Sequence, residues 1–249
     1  MTNRWIEPHS RPLIIGHRGA SAHAPENTLA AFRMARAQGA DGVELDTKRC
    51  ASGEVVIMHD PTLERTTNGR GKVHEWKLAD LRALDAGQGE RVPTLDEVFE
   101  ALDSDGLVNV EVTNYTTPED GLETAVVGVV RRHNIAERIL FSTFNPLSLR
   151  RLAELAPDIP RAFLYEPETP AEMHQLMIDP SGRALGREFD HPHFSLVTPE
   201  FVQEKGARGL LVNTWTVNAA DEIRRVAACG VRGIIGDSPL TMRAALGLA

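Results

Sequence analysis

The chain has 249 residues, 42% apolar and 25% charged, with 27 basic against 35 acidic side chains for a formal charge of −8. That is ordinary globular composition, long enough for one α/β barrel or for two smaller domains. An acidic balance with no block of Lys and Arg excludes nucleic acid or an anionic membrane as the main partner, because both are bound through cationic surface. Cys50 and Cys229 lack CxxC spacing and are too few to staple a domain of this size. The opening segment MTNRWIEPHSRP has no apolar run before Pro12, and no stretch of about 18 apolar residues occurs elsewhere. Neither export nor a membrane anchor is expected, and the expected setting is cytoplasmic.

In chain order, short β-branched runs alternate with longer helical patterns. Strands are predicted over 13–16, 42–46, 55–58, 107–112, 138–142, 161–165, 194–197, 209–214 and 233–236. Helices are predicted over 27–38 with Gly39 as the stop, 94–102 with Thr94 as N-cap, 118–133, 145–155, 198–205, 218–229 and 239–246. Repeated strand-helix units imply a parallel sheet. Nine candidate strands fit a closed eight-stranded barrel with one to spare better than they fit two domains, and no Pro/Ser/Gly-rich linker divides the chain. The expectation is one α/β barrel domain over 1–249. Residues 60–91, polar and rich in Gly, Thr and Arg, read as an insertion after the third strand at the rim where the strands end. The stretch 158–193, interrupted by five prolines, is the other irregular region.

Two carboxylates, Glu44 and Asp46, stand at i and i+2 on the apolar strand Gly-Val-Glu-Leu-Asp, so the two-residue period points both to one face. Flanking Val43 and Leu45 argue for a buried strand rather than a solvated edge. Glu111 stands in the same relation to Val-Asn-Val-Glu-Val. Three carboxylates converging at a barrel mouth suit Mg²⁺ or Ca²⁺ and are poor for zinc. His17 and His59 each close a strand, an equivalent position on the rim that suggests an acid/base pair over two structural histidines. Arg18 offers a forked cation to a phosphate oxygen or an ion pair to one of the carboxylates, and the two roles are compatible. With no Ser or Cys nucleophile motif, these groups suit attack on phosphorus or a carbonyl by water or a substrate hydroxyl.

Nine stretches together resemble the glycerophosphodiester phosphodiesterase family. They are HRGASAHAPENTLAAF from His17, VELD from Val43, VVIMHDPTLERTTNGRG from Val55, LDAG from Leu84, VPTLDEVF from Val92, NVEV from Asn109, FSTFNPLSLRRL from Phe141, WTVN from Trp215 and GVRGIIGDSP from Gly230. They follow the family's order over nearly the whole chain. The resemblance implies a TIM (β/α)8 barrel that hydrolyses glycerophosphodiesters to sn-glycerol 3-phosphate and an alcohol with one divalent cation. It implies that Glu44, Asp46 and Glu111 bind the metal, that His17 and His59 are the acid/base pair, that Arg18 contacts phosphate, and that Trp215 walls the glycerol moiety; a core tryptophan is the other reading of Trp215. The implied partner is a small-molecule diester. Residues 60–91 correspond to the family's insertion.

Two departures stand out. Many members carry a lysine where this chain has Thr113, so Thr113→Lys is expected to raise activity unless Lys48 or Arg161 already supplies the cation. Many also read Thr-Asp where this chain has Gly236-Asp237, a tolerated change at a strand end. Rival readings are a lysophospholipase D-type enzyme for longer lipid diesters and a barrel that binds diesters with little turnover. The intact metal and histidine positions argue against the second. The few large apolar residues of 60–91 argue for a water-soluble head group over a lipid.

Overall fold

A computed structural model describes residues 2–102, 104–177 and 186–248. Its elements run β1 (Leu13–Gly16), α1 (Leu29–Ala37), β2 (Gly42–Arg49), β3 (Val55–Ile57), α2 (Leu78–Leu81), α3 (Leu95–Ala101), β4 (Leu107–Val112) and α4 (Leu122–His133). They continue through β5 (Ile139–Thr143), α5 (Pro146–Leu155), β6 (Arg161–Tyr165), α6 (Ala171–Gln175), β7 (Phe189–Pro192), α7 (Pro199–Ala207), β8 (Leu211–Thr214), α8 (Ala220–Ala228), β9 (Gly233–Gly236) and α9 (Pro239–Ala245). Strands β1, β2, β4, β5, β6, β7, β8 and β9 pair in parallel around a closed ring, β1 meeting both β2 and β9. This is the TIM barrel. The ninth strand is β3, which pairs antiparallel with β2 as Thr47↔Ile57 and Arg49↔Val55. It stands outside the ring and carries His59 and the segment 60–91 back to the barrel mouth.

Helix starts follow side-chain caps. The hydroxyl or amide oxygens of Thr28, Thr94, Asn145, Thr198 and Ser238 accept backbone N–H groups of the first turns, and Thr94 with Glu97 forms a full capping box. The first helix begins at Leu29 rather than at Asn27, which is left free for another task. The α4 helix begins at Leu122 rather than near Pro118 because Gly121 turns the chain through φ +73.

One expected strand is displaced. Residues 194–197 form a short 3₁₀ turn, Phe194–Leu196, capped by the His193 side chain, and the barrel strand is Phe189–Pro192 just before it. Phe-Asp-His-Pro does not read as a buried strand, because its outward residue is an acid. Asp190 is fully buried and bonded by Arg187 (2.6 Å) and Lys205 (2.9 Å), which neutralise what an apolar side chain would avoid. Residues 178–185 of the irregular stretch 158–193 lie outside the described residues.

Outside the ring, Val43, Leu45, Val108, Val110, Phe141 and Ile234 pack against Phe32, Val126, Val130, Leu152, Ile223 and Met242 of the helices. Inside, the N-terminal end is apolar: Leu13, Ile15, Leu107, Leu140, Ala162, Phe189 and Ile235 surround Trp5. Trp5 is fully buried and donates Nε1–H to the Arg138 carbonyl at 2.8 Å. Among the described residues no helix is long and apolar enough to cross a membrane.

Candidate active site

The other end of the barrel is polar. Along β2 the inward residues are Gly42, Glu44, Asp46 and Lys48, and along β4 they are Leu107, Asn109 and Glu111. The register sets Glu44 beside Asn109 and Asp46 beside Glu111. Carboxylate oxygens of Glu44, Asp46 and Glu111 thereby lie within 4.8 Å of one another. Burial, and then mutual repulsion, drives the Glu44 and Glu111 carboxyl groups well above the ordinary carboxylate range. Such a cluster asks for positive charge.

Part of that charge comes from Arg18. Its backbone N–H donates to Glu44 Oε2 at 3.0 Å, and its Nε stands 3.3 Å from Asp46 Oδ2, near enough for attraction without hydrogen-bond alignment. Its Nη1 donates to Glu26 Oε1 at 2.8 Å. Asn27 grips Asp46 twice, its Nδ2 donating to Oδ2 at 2.8 Å while its own Oδ1 accepts the Asp46 N–H at 3.3 Å. Arg18 and Asn27 both sit at positive φ, +52 and +58, which costs a non-glycine residue on the order of 1–2 kcal/mol and persists where surrounding contacts impose it. On the far side the Tyr115 hydroxyl donates to Glu111 Oε1 at 2.7 Å. The buried Asn109 amide donates to Ser142 Oγ at 3.0 Å, and its Oδ1 has no hydrogen-bond partner among the described residues. A set of hard, anionic oxygens with a neutral carbonyl left over fits Mg²⁺ or Ca²⁺.

Both histidines line the same cavity, of about 230 Å³, as the three carboxylates. His17 Nδ1 is 2.7 Å from Asp237 Oδ1, and Asp237 is held by Asn218 Nδ2 (2.6 Å) and Ser21 Oγ (3.1 Å). Burial opposes ionisation of Asp237, yet His17, Asn218 and Ser21 hold its carboxyl below the usual range. His59 Nδ1 is 2.6 Å from Asp60 Oδ1, whose carboxyl the Arg65 guanidinium, bonded to Oδ2 at 2.6 Å, pulls down to about 2. An ionised carboxylate only accepts, so each ring carries its proton on Nδ1 and keeps Nε2 for another partner. Arg65 also reaches Glu26 at 2.7 and 2.9 Å, so an unbroken charged chain joins Asp46, Arg18, Glu26, Arg65, Asp60 and His59.

The opposite wall is apolar. Trp215 is half-buried, its indole N–H bonded to the His191 carbonyl at 2.7 Å, and its ring meets Phe144 with centroids 5.4 Å apart at 81°. Phe144, Leu164, Trp215 and Ile235 line the cavity there. The structure thus brings together His17, Arg18, Glu44, Asp46, His59, Glu111 and Trp215. Sequence reasoning gave no role to Glu26, Asn27, Asp60, Arg65, Tyr115 and Asp237. Asp60 adjoins His59, but the pairing of Asp237 with His17 spans 220 positions and follows only from barrel closure.

Lys48, two residues beyond Asp46, donates from Nζ to Thr113 Oγ1 at 2.7 Å and to the Thr113 carbonyl at 2.8 Å. Burial lowers its pKa against the attraction of Asp46 and Glu111. A cation therefore already stands at position 113. Arg161 does not share that role: it bonds the carbonyls of Ala156, Ile159 and Gly186 and the Glu188 carboxylate at the start of β6, away from the mouth. Gly236 fits its surroundings, since a Cβ there would lie 2.5 Å from the Val217 carbonyl oxygen.

An eight-stranded parallel barrel with buried carboxylates and two carboxylate-oriented histidines at the strand ends defines a class of enzyme-like sites suited to a cation and an anionic ligand. The sequence profile of the glycerophosphoryl diester phosphodiesterase family matches residues 17–241. The glycerophosphodiester phosphodiesterase of Caldanaerobacter subterraneus subsp. tengcongensis is 38% identical over 242 residues, covering 93% of this chain and 96% of that protein. Among solved structures, a phosphodiesterase of Oleispira antarctica in complex with the product sn-glycerol-3-phosphate superposes with TM-score 0.84 at 30% identity, covering 95% of this chain and 97% of that one. A crystal structure of a Silicibacter pomeroyi protein superposes with the same score at 29% identity, covering 97% of this chain and 96% of that one. The chain belongs to the glycerophosphoryl diester phosphodiesterase family.

Proposed function

We propose that this protein hydrolyses glycerophosphodiesters to sn-glycerol 3-phosphate and an alcohol. The observation that carries the reading is the single cavity in which two histidines, each oriented through Nδ1 by a carboxylate, flank three buried carboxylates and Arg18. Glu44, Asp46 and Glu111 would hold one divalent cation, Mg²⁺ or Ca²⁺, which when bound supplies Lewis-acid polarisation of the phosphate. Arg18 contacts a phosphate oxygen and helps balance charge that grows in the transition state. One of His17 and His59 takes a proton at Nε2 from the attacking water or glycerol hydroxyl, and the other returns one from Nε2 to the leaving alcohol. Asp237 and Asp60 hold Nδ1–H on both rings, so the base is the neutral imidazole and the acid is the imidazolium, which also carries a proton on Nε2. Where the glycerol hydroxyl attacks, the cyclic phosphate it forms is opened by water in a second step with the two histidine roles exchanged. Trp215 walls the glycerol moiety. The product-bound Oleispira antarctica relative supports the substrate class.

In this reading 1–249 is one barrel domain with 60–91 as the rim insertion. Leu63, Val73 and Leu81, with Trp76 and Leu84 against them, pack with Val56 and Met58 into a small core of their own. That leaves a head group, rather than a long acyl chain, as the fitting occupant of the cavity. Cys50 and Cys229 are free thiols, in keeping with a cytoplasmic setting. The test is release of glycerol 3-phosphate from a panel of diesters after EDTA treatment and after return of Mg²⁺, Ca²⁺ or Mn²⁺. Metal-dependent release is expected; release undiminished by exhaustive chelation contradicts the metal role, and none under any condition contradicts the activity.

A further inference from the structure

A second cavity, of about 270 Å³, opens outside the barrel mouth and shares no lining residue with the catalytic one. It lies between the first turns of α1, the residue after α2, the end of the segment 60–91 and the start of α3. Five ionic side chains line it: Arg33, Arg82, Glu90, Arg91 and Glu97. Three of them are already engaged. Glu97 accepts the Thr94 N–H at 2.8 Å and the Thr94 hydroxyl at 3.0 Å on Oε2, and takes the Arg82 guanidinium on Oε1. Glu90 accepts the Ala30 N–H at 3.3 Å. Arg33 and Arg91 are exposed, and no ion pair or hydrogen bond engages either side chain among the described residues. Two guanidinium groups from different elements therefore face one concavity without a counter-ion, on a chain of formal charge −8. An anion between them replaces a repulsion with two attractions.

We propose that Arg33 and Arg91 form a second anion site, separate from the catalytic mouth, that takes a small phosphate dianion. The planar fork of each guanidinium matches two phosphate oxygens at once, and the modest volume suits a compact ligand. Inorganic phosphate and a phosphate monoester such as sn-glycerol 3-phosphate share that chemistry. The site itself stands on the charges; only the choice of sn-glycerol 3-phosphate as a ligand rests on the phosphodiesterase reading above, in which it is the product. Arg91 closes the segment 60–91 and Arg33 belongs to α1, so a bound dianion braces that segment against a helix of the barrel. The competing use of the two arginines is solvation alone, which predicts no saturable anion binding there.

Calorimetric titration in EDTA separates the two uses, because without a cation the carboxylates of the catalytic mouth repel anions. Inorganic phosphate and sn-glycerol 3-phosphate are each titrated into the full-length wild type, an Arg33→Gln, Arg91→Gln variant and Glu90→Gln, at constant ionic strength. The wild type should bind one dianion saturably, and the double arginine variant should bind it about tenfold more weakly. Glu90→Gln, which removes a negative charge from the wall while keeping an acceptor for Ala30, should tighten binding about two- to threefold. These opposite shifts on exposed side chains are not what misfolding would give. Tighter binding of sn-glycerol 3-phosphate than of phosphate assigns the site to the monoester, and equal binding assigns it to the free ion. No saturable binding by the wild type, or equal affinity in the wild type and the double arginine variant, overturns the proposal. The titration involves no turnover, so failure of the phosphodiesterase reading shows separately, as absence of diester cleavage.

Discussion

The two ends of the barrel are built from the same strands on opposite physical terms. At the N-terminal end, Leu13, Leu107, Leu140 and Phe189 surround Trp5, whose one polar atom is bonded. Every choice there lowers the free energy of the fold. At the other end, the strands and the loop after β1 hold three crowded carboxylates, two non-glycine residues at positive φ and an amide oxygen without a hydrogen-bond partner among the described residues. Those are costs, which a site designed only for stability would remove. The contrast separates substitutions into those that damage the fold and those that damage the chemistry.

The largest expected effect is at the mouth. Glu44→Ala, Asp46→Ala and Glu111→Ala should each abolish metal-dependent turnover while leaving thermal stability of the metal-free protein equal or higher, since each removes one member of a crowded carboxyl cluster whose ionisation burial and mutual repulsion oppose. Trp5→Ala is the mirror experiment, costing about 3–5 kcal/mol of stability in denaturant unfolding with kcat of the folded fraction retained. A stability loss of that size in all three carboxylate variants would erase the distinction between the ends.

Within the mouth, His17→Ala and His59→Ala should bind metal normally and lose about 10²–10⁴ in kcat. Asp237→Asn should lose nearly as much as His17→Ala, because an amide can donate to Nδ1 and stabilise the wrong tautomer. Calorimetric loss of metal binding in either histidine variant would make that residue a ligand. The smallest effect expected is at position 113. Lys48 already bonds Thr113, so Thr113→Lys places a second ammonium against the first and should lower kcat/KM a few-fold. A clear gain would show that the Lys48 ammonium does not serve the phosphate.

What the sequence disclosed follows the same division. The alternation along β2 and β4 and the strand-end positions of His17 and His59 bring the site residues to one rim because period and topology are local and repetitive. Groups whose partners come from elsewhere were harder to read. Asp237 meets His17 only when the ring closes, and Asn27 turns to Asp46 only because the helix starts at Leu29. The strand Phe189–Pro192 was hidden because Arg187 and Lys205 neutralise its buried acid from outside it. The surplus strand resolves as β3 because its partner runs antiparallel, which composition does not reveal.

On the proposed function, the carboxylate cluster is a cation site whose repulsion burdens the metal-free fold. Glu44 and Glu111 keep protons in the metal-free fold at pH values where the unfolded chain, with carboxyl groups near 4.3, has released them. Their contribution to stability is therefore full below that value and is lost as pH rises through their raised range. Thermal unfolding at pH 8, with EDTA or with Mg²⁺ or Ca²⁺ in about hundredfold excess over Kd, compares the wild type with a Glu44→Gln, Asp46→Asn, Glu111→Gln variant. The wild type should gain about 5–10 °C from one of the cations. The variant should unfold above the metal-free wild type and ignore both ions. An equal cation response in the two proteins, or none in the wild type, would contradict the account.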